Sequence, residues 1–222
     1  MSYLSHADLG GRNLAGPIKA EAEAEGEVFH APWEPRVLAL TLAMGATGSW
    51  NIDMSRAARE TLPDYAELGY YEIWLRGLVE LLKARSLVGE DELAAGSALH
   101  RAPAVQRLLL ADRVGEVLAA GAPTQRATTA PAAFVVGQRV RARAGHATHH
   151  TRLPGYVQGK AGVIERLHGM HVFADANAQG LGEQPEWLYT VVFDGAALWG
   201  DAAGAGVAVS VDAWQPYLEA DP

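Results

Sequence analysis

Phe134-Val135-Val136-Gly137-Gln138-Arg139-Val140-Arg141-Ala142-Arg143 marks the point where the spacing of apolar residues changes from helical to two-residue. The alternation of charged and apolar side chains from Arg139 to Arg143 places one set on each face of an extended chain, as in a half-buried strand. Downstream, Gly162 to Leu167, Leu188 to Phe193 and Val207 to Val211 read as further short strands between glycine turns. Many short strands and few long runs suggest a small barrel of SH3-like size over residues 134–222.

Upstream of this stretch, residues 121–133 are rich in Ala, Thr and Pro and read as a linker. Residues 33–120 read as a helical domain. Pro32, Trp33 and Pro35 open a helical run through Leu38, Leu40, Leu42 and Met44 that stops near Gly45 and Gly48. Asn51 or Asp53 can cap a short helix carrying Arg56 and Arg59. Pro63-Asp64 predicts the start of the longest helix, ending near Leu87. Its two apolar stripes are Tyr71, Leu75, Leu78, Leu82 and Tyr70, Trp74, Gly77, Leu81, so only a narrow edge is polar. With few other helices to cover them, one stripe is assigned to a partner. Pro103 predicts another helix, with Leu110, Val114, Val117 and Leu118 on one face. Residues 1–32 offer no single apolar face and read as an extended arm of the kind that lies on another surface. The expected fold is α+β: an N-terminal extended arm and helical domain, then a C-terminal SH3-like β-barrel.

The 222 residues are enough to bury a real core, and 49% apolar with 20% charged residues is ordinary for a soluble globular chain. A net charge of −8 argues against a nucleic-acid or anionic-membrane surface. The longest apolar-rich run, Val37 to Ala46, is too short to span a bilayer, and the N-terminus lacks the blocks of a signal peptide. A cytoplasmic location is expected. The chain has no cysteine, which excludes disulfides, a thiol nucleophile and any thiolate metal site within it.

Chemistry-bearing residues are sparse. His146, His149 and His150 have a spacing that suits metal ligation on a helix, but the segment reads as a Gly/Pro-flanked loop and is taken as polar loop. Arg152, in His150-Thr151-Arg152-Leu153-Pro154-Gly155-Tyr156, reads either as a surface arginine or as a forked donor aimed at an oxyanion outside its own domain. Arg56 alone reads as solvated, and Tyr70 and Trp74 as core aromatics before site residues. Asp175, Glu183 and Asp194 are acid/base candidates only as any carboxylate is. No phosphate loop or Ser-His-Asp arrangement has recognisable spacing.

Taken together, motifs along nearly the whole chain resemble the β subunits of the nitrile hydratase family. They begin with Asp8-Leu9-Gly10-Gly11, Gly16-Pro17-Ile18, Glu27-Val28-Phe29, Trp33-Glu34, Tyr70-Tyr71 and Trp74. The second half adds His150-Thr151-Arg152-Leu153-Pro154, Tyr156, Gly159-Lys160, Gly162, Asp175, Gly182-Glu183, Leu188-Tyr189-Thr190-Val191, Leu198-Trp199-Gly200, Trp214 and Tyr217-Leu218-Glu219. Gln158 stands where the family often has arginine, and His149 replaces a usual glycine.

The resemblance implies a hydro-lyase that converts small nitriles to amides, working as a heterodimer with an α subunit and assembling as α2β2. It implies a Co(III) or Fe(III) centre held by the α subunit through cysteine sulfurs, two of them oxidised, and no metal held by this chain. Arg56 and Arg152 correspond to two arginines that hydrogen-bond the oxidised sulfur oxygens. Tyr70 would touch substrate or water, with Trp74, Ile52 and Tyr71 lining the pocket. The competing readings are a thiocyanate hydrolase subunit, a non-enzymatic metallochaperone or activator, and a free-standing SH3-like binding module. The continuous helical-plus-barrel chain disfavours the first, the C-terminal half with Arg152 the second, and the arm and aromatic helix the third.

Overall fold

The computed structural model describes residues 5–11, 28–145 and 147–221. Most of the arm (1–4 and 12–27), including Gly16-Pro17-Ile18 and Glu27, lies outside the described residues, as does His146. Among the described residues two compact units emerge, one helical (Ser5–Ala7 and 28–121) and one built on a sheet (Asp8–Gly11 and 122–221). No helix among the described residues is long and apolar enough to cross a membrane.

In the helical unit, α1 spans Glu34–Gly45 with Pro35 in its first turn. Next, α2 spans Ile52–Glu60, and the Asn51 side chain accepts from the Asp53 and Met54 amides at 3.0 and 2.9 Å. That cap satisfies two otherwise orphaned donors. Asn51→Ala is therefore expected to cost about 1 kcal/mol in urea unfolding of the chain; an unchanged midpoint would show the cap to be dispensable.

The longest helix, α3, spans Tyr70–Ala84 and starts later than Pro63-Asp64 suggests. A single 3-10 turn at Tyr65–Glu67 is followed by extended Leu68 and Gly69. The Glu72 carboxylate accepts the Gly69 amide at 2.7 Å and so sets the true helix start. Trp50, Leu78 and Leu81 form the buried centre of this unit. A short α4, Glu90–Ala95, was not expected. The helix expected from Pro103 is confined to a 3-10 turn at Ala111–Arg113 and α5, Val114–Ala120. Leu108 and Leu110 are exposed, so the preceding segment has no covered apolar face to repay helix formation.

In the sheet unit, β1 (Gln125–Arg126) lies inside the stretch that reads as a linker and pairs with His171 and Met170. Arg126 fixes it there through a two-bond contact with Glu183 at 2.6 and 2.7 Å. The other strands are β2 (Arg139–Ala142), β3 (Ala161–His171), β4 (Glu186–Asp194), β5 (Ala208–Trp214) and β6 (Leu218–Ala220). All pairings are antiparallel, in the order β5-β4-β3-β2-β6. The α+β class is as expected. The ladder, however, is open between β5 and β6, where a closed SH3-like barrel was the expectation. The 3-10 turn Gln215–Tyr217, with Pro216 inside it, ends β5 and sends β6 to pair with β2 instead. Tyr189, Val191 and Phe193 of β4 all point inward and pack with Val140, Ile164, Val157 and Tyr217. Two short helices, α6 (Ala174–Ala178) and α7 (Gly195–Trp199), complete the unit.

Candidate functional site

The site residues expected from sequence divide between the units: Ile52, Arg56, Tyr70, Tyr71 and Trp74 fall in the helical one, Arg152 in the sheet one. Within the helical unit, α2 carries Ile52 and Arg56 one turn apart, so they share a face. Ile52 is exposed, and the half-exposed Arg56 reaches back to the buried Asp53 carboxylate at 3.3 Å. An aspartate at i−3 limits where the guanidinium can swing without removing it from solvent.

On α3, three aromatic rings stand together. Tyr70 meets Tyr71 edge-on with centroids 5.1 Å apart, and Trp74 lies 5.7 Å from Tyr70 and 6.0 Å from Tyr71. Phe29 adds a fourth ring, 5.4 Å from Tyr71. Tyr70 is 66% exposed, which is costly for a large ring in a free chain and unlike the core role that base rates favour. Below this tier, Arg59 of α2 lays its guanidinium 4.8 Å over the Trp74 ring and donates Nε to the Ser55 carbonyl at 3.0 Å. Burial and the nearby Arg56 charge hold the Arg59 guanidinium below its ordinary value. Gly77 makes the crossing possible, since a Cβ there would come within 2.4 Å of the Arg59 Cγ. Sequence reasoning placed Arg59 beside Arg56 but missed this contact; the glycine in an otherwise apolar stripe is the signal that pointed to it.

Arg152 is exposed on a loop whose flanks are fixed in several ways. Leu153 and Val157 are buried in the sheet core, with extended Pro154 and a 3-10 turn at Gly155–Val157 between and around them. The Arg152 amide donates to the Tyr217 hydroxyl at 3.0 Å, and that hydroxyl donates to Asp175 Oδ1. His149 Nδ1 lies 3.8 Å from Asp175 Oδ2. Burial pushes the Asp175 carboxyl above its usual range, although the Tyr217 bond and the neighbouring histidines oppose the shift. Tyr217 is likewise pushed up, by burial first and then by the Asp175 charge.

From the other side, the N-terminal Asp8-Leu9-Gly10-Gly11 segment buckles onto this loop. Asp8 accepts the Gly155 amide at 2.6 Å with one oxygen and the Gly10 amide at 2.8 Å with the other. Gly11, at φ +63°, leaves room for the Tyr156 ring, whose Cγ would be 3.0 Å from a Cβ at that position. Tyr156 in turn stacks on Trp199 at 5.8 Å. The result is an exposed guanidinium on a restrained backbone, which is how a protein preorganises a donor for an anion.

Two family models cover the chain. One described as "Nitrile hydratase beta subunit, N-terminal" matches residues 4–129, and one described as "Nitrile hydratase beta subunit, C-terminal" matches residues 123–220. The chain belongs to the nitrile hydratase β-subunit family. A relative within that family, the low-molecular weight cobalt-containing nitrile hydratase subunit beta of Rhodococcus rhodochrous, is 38% identical over 95% of this chain and 96% of its own length. The cobalt-containing nitrile hydratase subunit beta of Pseudonocardia thermophila is 32% identical over 96% of this chain and 94% of its own. Among solved structures, the recombinant apo-enzyme of thiocyanate hydrolase from Thiobacillus thioparus aligns with 41% of this chain and 78% of its own. That alignment has 31% identity and a TM-score of 0.39.

Proposed function

We propose that this chain is the β subunit of a nitrile hydratase, paired with an α subunit that carries the metal centre. The observation that supports this most is the full-length family match together with the exposed, restrained Arg152 of the loop. With no cysteine of its own, this chain contributes cationic donors, and the thiolate ligands come from the partner. The donor set fits that division: a guanidinium is permanently charged and offers two parallel N–H groups, matching the two oxygens of a sulfinate or one oxygen from each of two neighbouring oxidised cysteines.

When bound in the α subunit, the metal supplies Lewis-acid activation of the nitrile. Arg56 and Arg152 hold the oxidised cysteine oxygens of the partner deprotonated and oriented. The Tyr70 hydroxyl, on the exposed end of the aromatic tier, offers a hydrogen bond to substrate or to the water that adds across the C≡N bond. Trp74, Tyr71 and Ile52 form an apolar wall that selects small nitriles and sheds the more polar amide. Two relatives carry cobalt in their names, which favours cobalt over iron for this complex.

The test is reconstitution. Co-expressed with a cysteine-bearing α subunit in cobalt medium, this chain is expected to yield a complex that hydrates a small nitrile such as acrylonitrile and contains cobalt. Alone it is expected to do neither. Turnover by the purified single chain, or a stable complex with no nitrile-hydrating activity, would overturn the proposal.

A further inference from the structure

Asp175 is 5% exposed, and Tyr217, 42 residues later in the sequence, is 7% exposed. Neither residue faces solvent, and the Tyr217 ring packs in the sheet core while its hydroxyl brings a polar atom there. A buried carboxylate is costly unless bonded, and a buried tyrosine hydroxyl demands a partner. An apolar pair of similar volume would fill the same space without that cost. What the pair does achieve is visible in its third contact. The Tyr217 oxygen accepts the amide hydrogen of Arg152 itself, not of a neighbour, while its own hydrogen is spent on Asp175 Oδ1. Because the hydroxyl has one hydrogen, committing it to Asp175 leaves the tyrosine oxygen as an acceptor toward the loop. Thr151, the residue before Arg152, receives the Leu153 amide at 3.3 Å and so adds a second restraint on the loop backbone.

We propose that Asp175 and Tyr217 are positioning residues for Arg152: the buried carboxylate orients the tyrosine hydroxyl, and the hydroxyl fixes the backbone from which the guanidinium projects. The inference rests on the reading of Arg152 as a donor to oxidised cysteine oxygens of the partner. It adds that the direction of the donor is set by a hydrogen-bonded chain that touches neither metal nor substrate. Positioning matters at this scale because a misplaced donor loses most of its effect on a reacting centre. The burial-raised protonation tendencies of both groups fit a closed, dry network.

A double-mutant cycle on the assembled α/β complex tests it, with kcat, KM, metal content and melting temperature measured for each variant. Tyr217→Phe keeps the ring and removes only the oxygen. It is expected to lower kcat about tenfold with KM and metal content held near wild type. Added to Arg152→Ala, it is expected to cause no further loss, because the group it positions is gone. Equal fold-losses in both backgrounds, or a wild-type kcat for Tyr217→Phe, would overturn the positioning role.

Two further readings keep the inference separate from the reading of Arg152. Amide hydrogen exchange at Arg152 in this chain is expected to be slow and to accelerate in Tyr217→Phe whatever the catalytic outcome. An unchanged exchange rate also overturns the clamp. A wild-type kcat for Arg152→Ala would instead remove the role of Arg152 while leaving the exchange result intact. If Tyr217→Phe fails to assemble, Asp175→Ala, which removes the acceptor that orients the hydroxyl, serves in the same cycle with the same expected pattern.

Discussion

Arg152→Lys in the assembled complex is expected to lower kcat by about 100-fold, the scale seen when one preorganised donor to a developing or fixed anion is removed. The free chain is expected to unfold at an unchanged urea midpoint, because Arg152 is exposed and surface substitutions usually fall within about 0.5 kcal/mol. Charge is conserved in this variant, so the loss isolates geometry. Lysine brings a single compact ammonium on a flexible stem, and it cannot reach two oxygens along parallel bonds. The backbone contacts to Tyr217 and those flanking it through Leu153 and Gly155 involve no side-chain atom of residue 152, so they survive the substitution. Steady-state kinetics and unfolding on the same preparation check both halves. Wild-type turnover in Arg152→Lys would mean that a point charge suffices there and would remove the argument from the fork.

Those elements that sequence patterning foretold are the ones whose cues are local and unopposed. Tyr189, Val191 and Phe193 alternate with half-exposed Thr190 and Val192, and β4 runs through them as the period predicts. The start of α2 follows from Asn51, whose cap bonds need only the next three residues. The misreadings come from cues that compete. Pro63-Asp64 looks like a helix start, yet Gly69 and Glu72 offer a better one, and extended Leu68 and Gly69 separate the two. Pro103 looks like another, but Leu108 and Leu110 stay exposed, so no buried apolar face repays helix formation there.

The open ladder has the same origin. Strand number and glycine spacing suggest closure, whereas the partner of β6 depends on where the turn through Pro216 releases the chain. At the candidate site, sequence names residues but not the contacts that support them. Arg152, Tyr70 and Trp74 come from motifs with order and spacing. The pairing of Asp175 with Tyr217 spans 42 residues and leaves no periodic trace. A carboxylate set in the apolar run Val172-Phe173-Ala174-Asp175-Ala176 is the one hint that it is buried. Asp8 likewise has a legible turn but a partner, Gly155, at the far end of the chain.

Gly77→Val is expected to destabilise the free chain by about 2–3 kcal/mol and to alter nitrile preference in the complex. The argument starts from the crossing of α2 and α3. A Cβ at position 77 would approach Arg59 Cγ to 2.4 Å, while Arg59 Cα at 3.4 Å stays in ordinary contact, so the obstacle is the stem of the side chain and not its mobile tip. Relief requires either that the helices separate or that Arg59 leave the groove. Separation opens the buried contact among Trp50, Leu78 and Leu81. Departure of Arg59 removes its guanidinium from the Trp74 face, a contact worth about 0.5–2 kcal/mol. Either way Trp74 loses the group beneath it, and Tyr70 and Tyr71, which pack on Trp74, lose their support.

Gly77→Ala divides the terms. Alanine gains about 1 kcal/mol of helix propensity over glycine, which offsets part of an overpacking cost of about 1–3 kcal/mol. It is therefore expected to fall between wild type and valine in stability. Arg59→Ala in the Gly77→Val background removes the obstacle and is expected to recover much of the stability while leaving the altered preference, because Trp74 is still unsupported. Urea unfolding of the four chains, with kcat/KM for a small and an aromatic nitrile in each complex, separates these contributions. A Gly77→Val chain as stable as wild type would show that the two helices do not approach closely at that glycine.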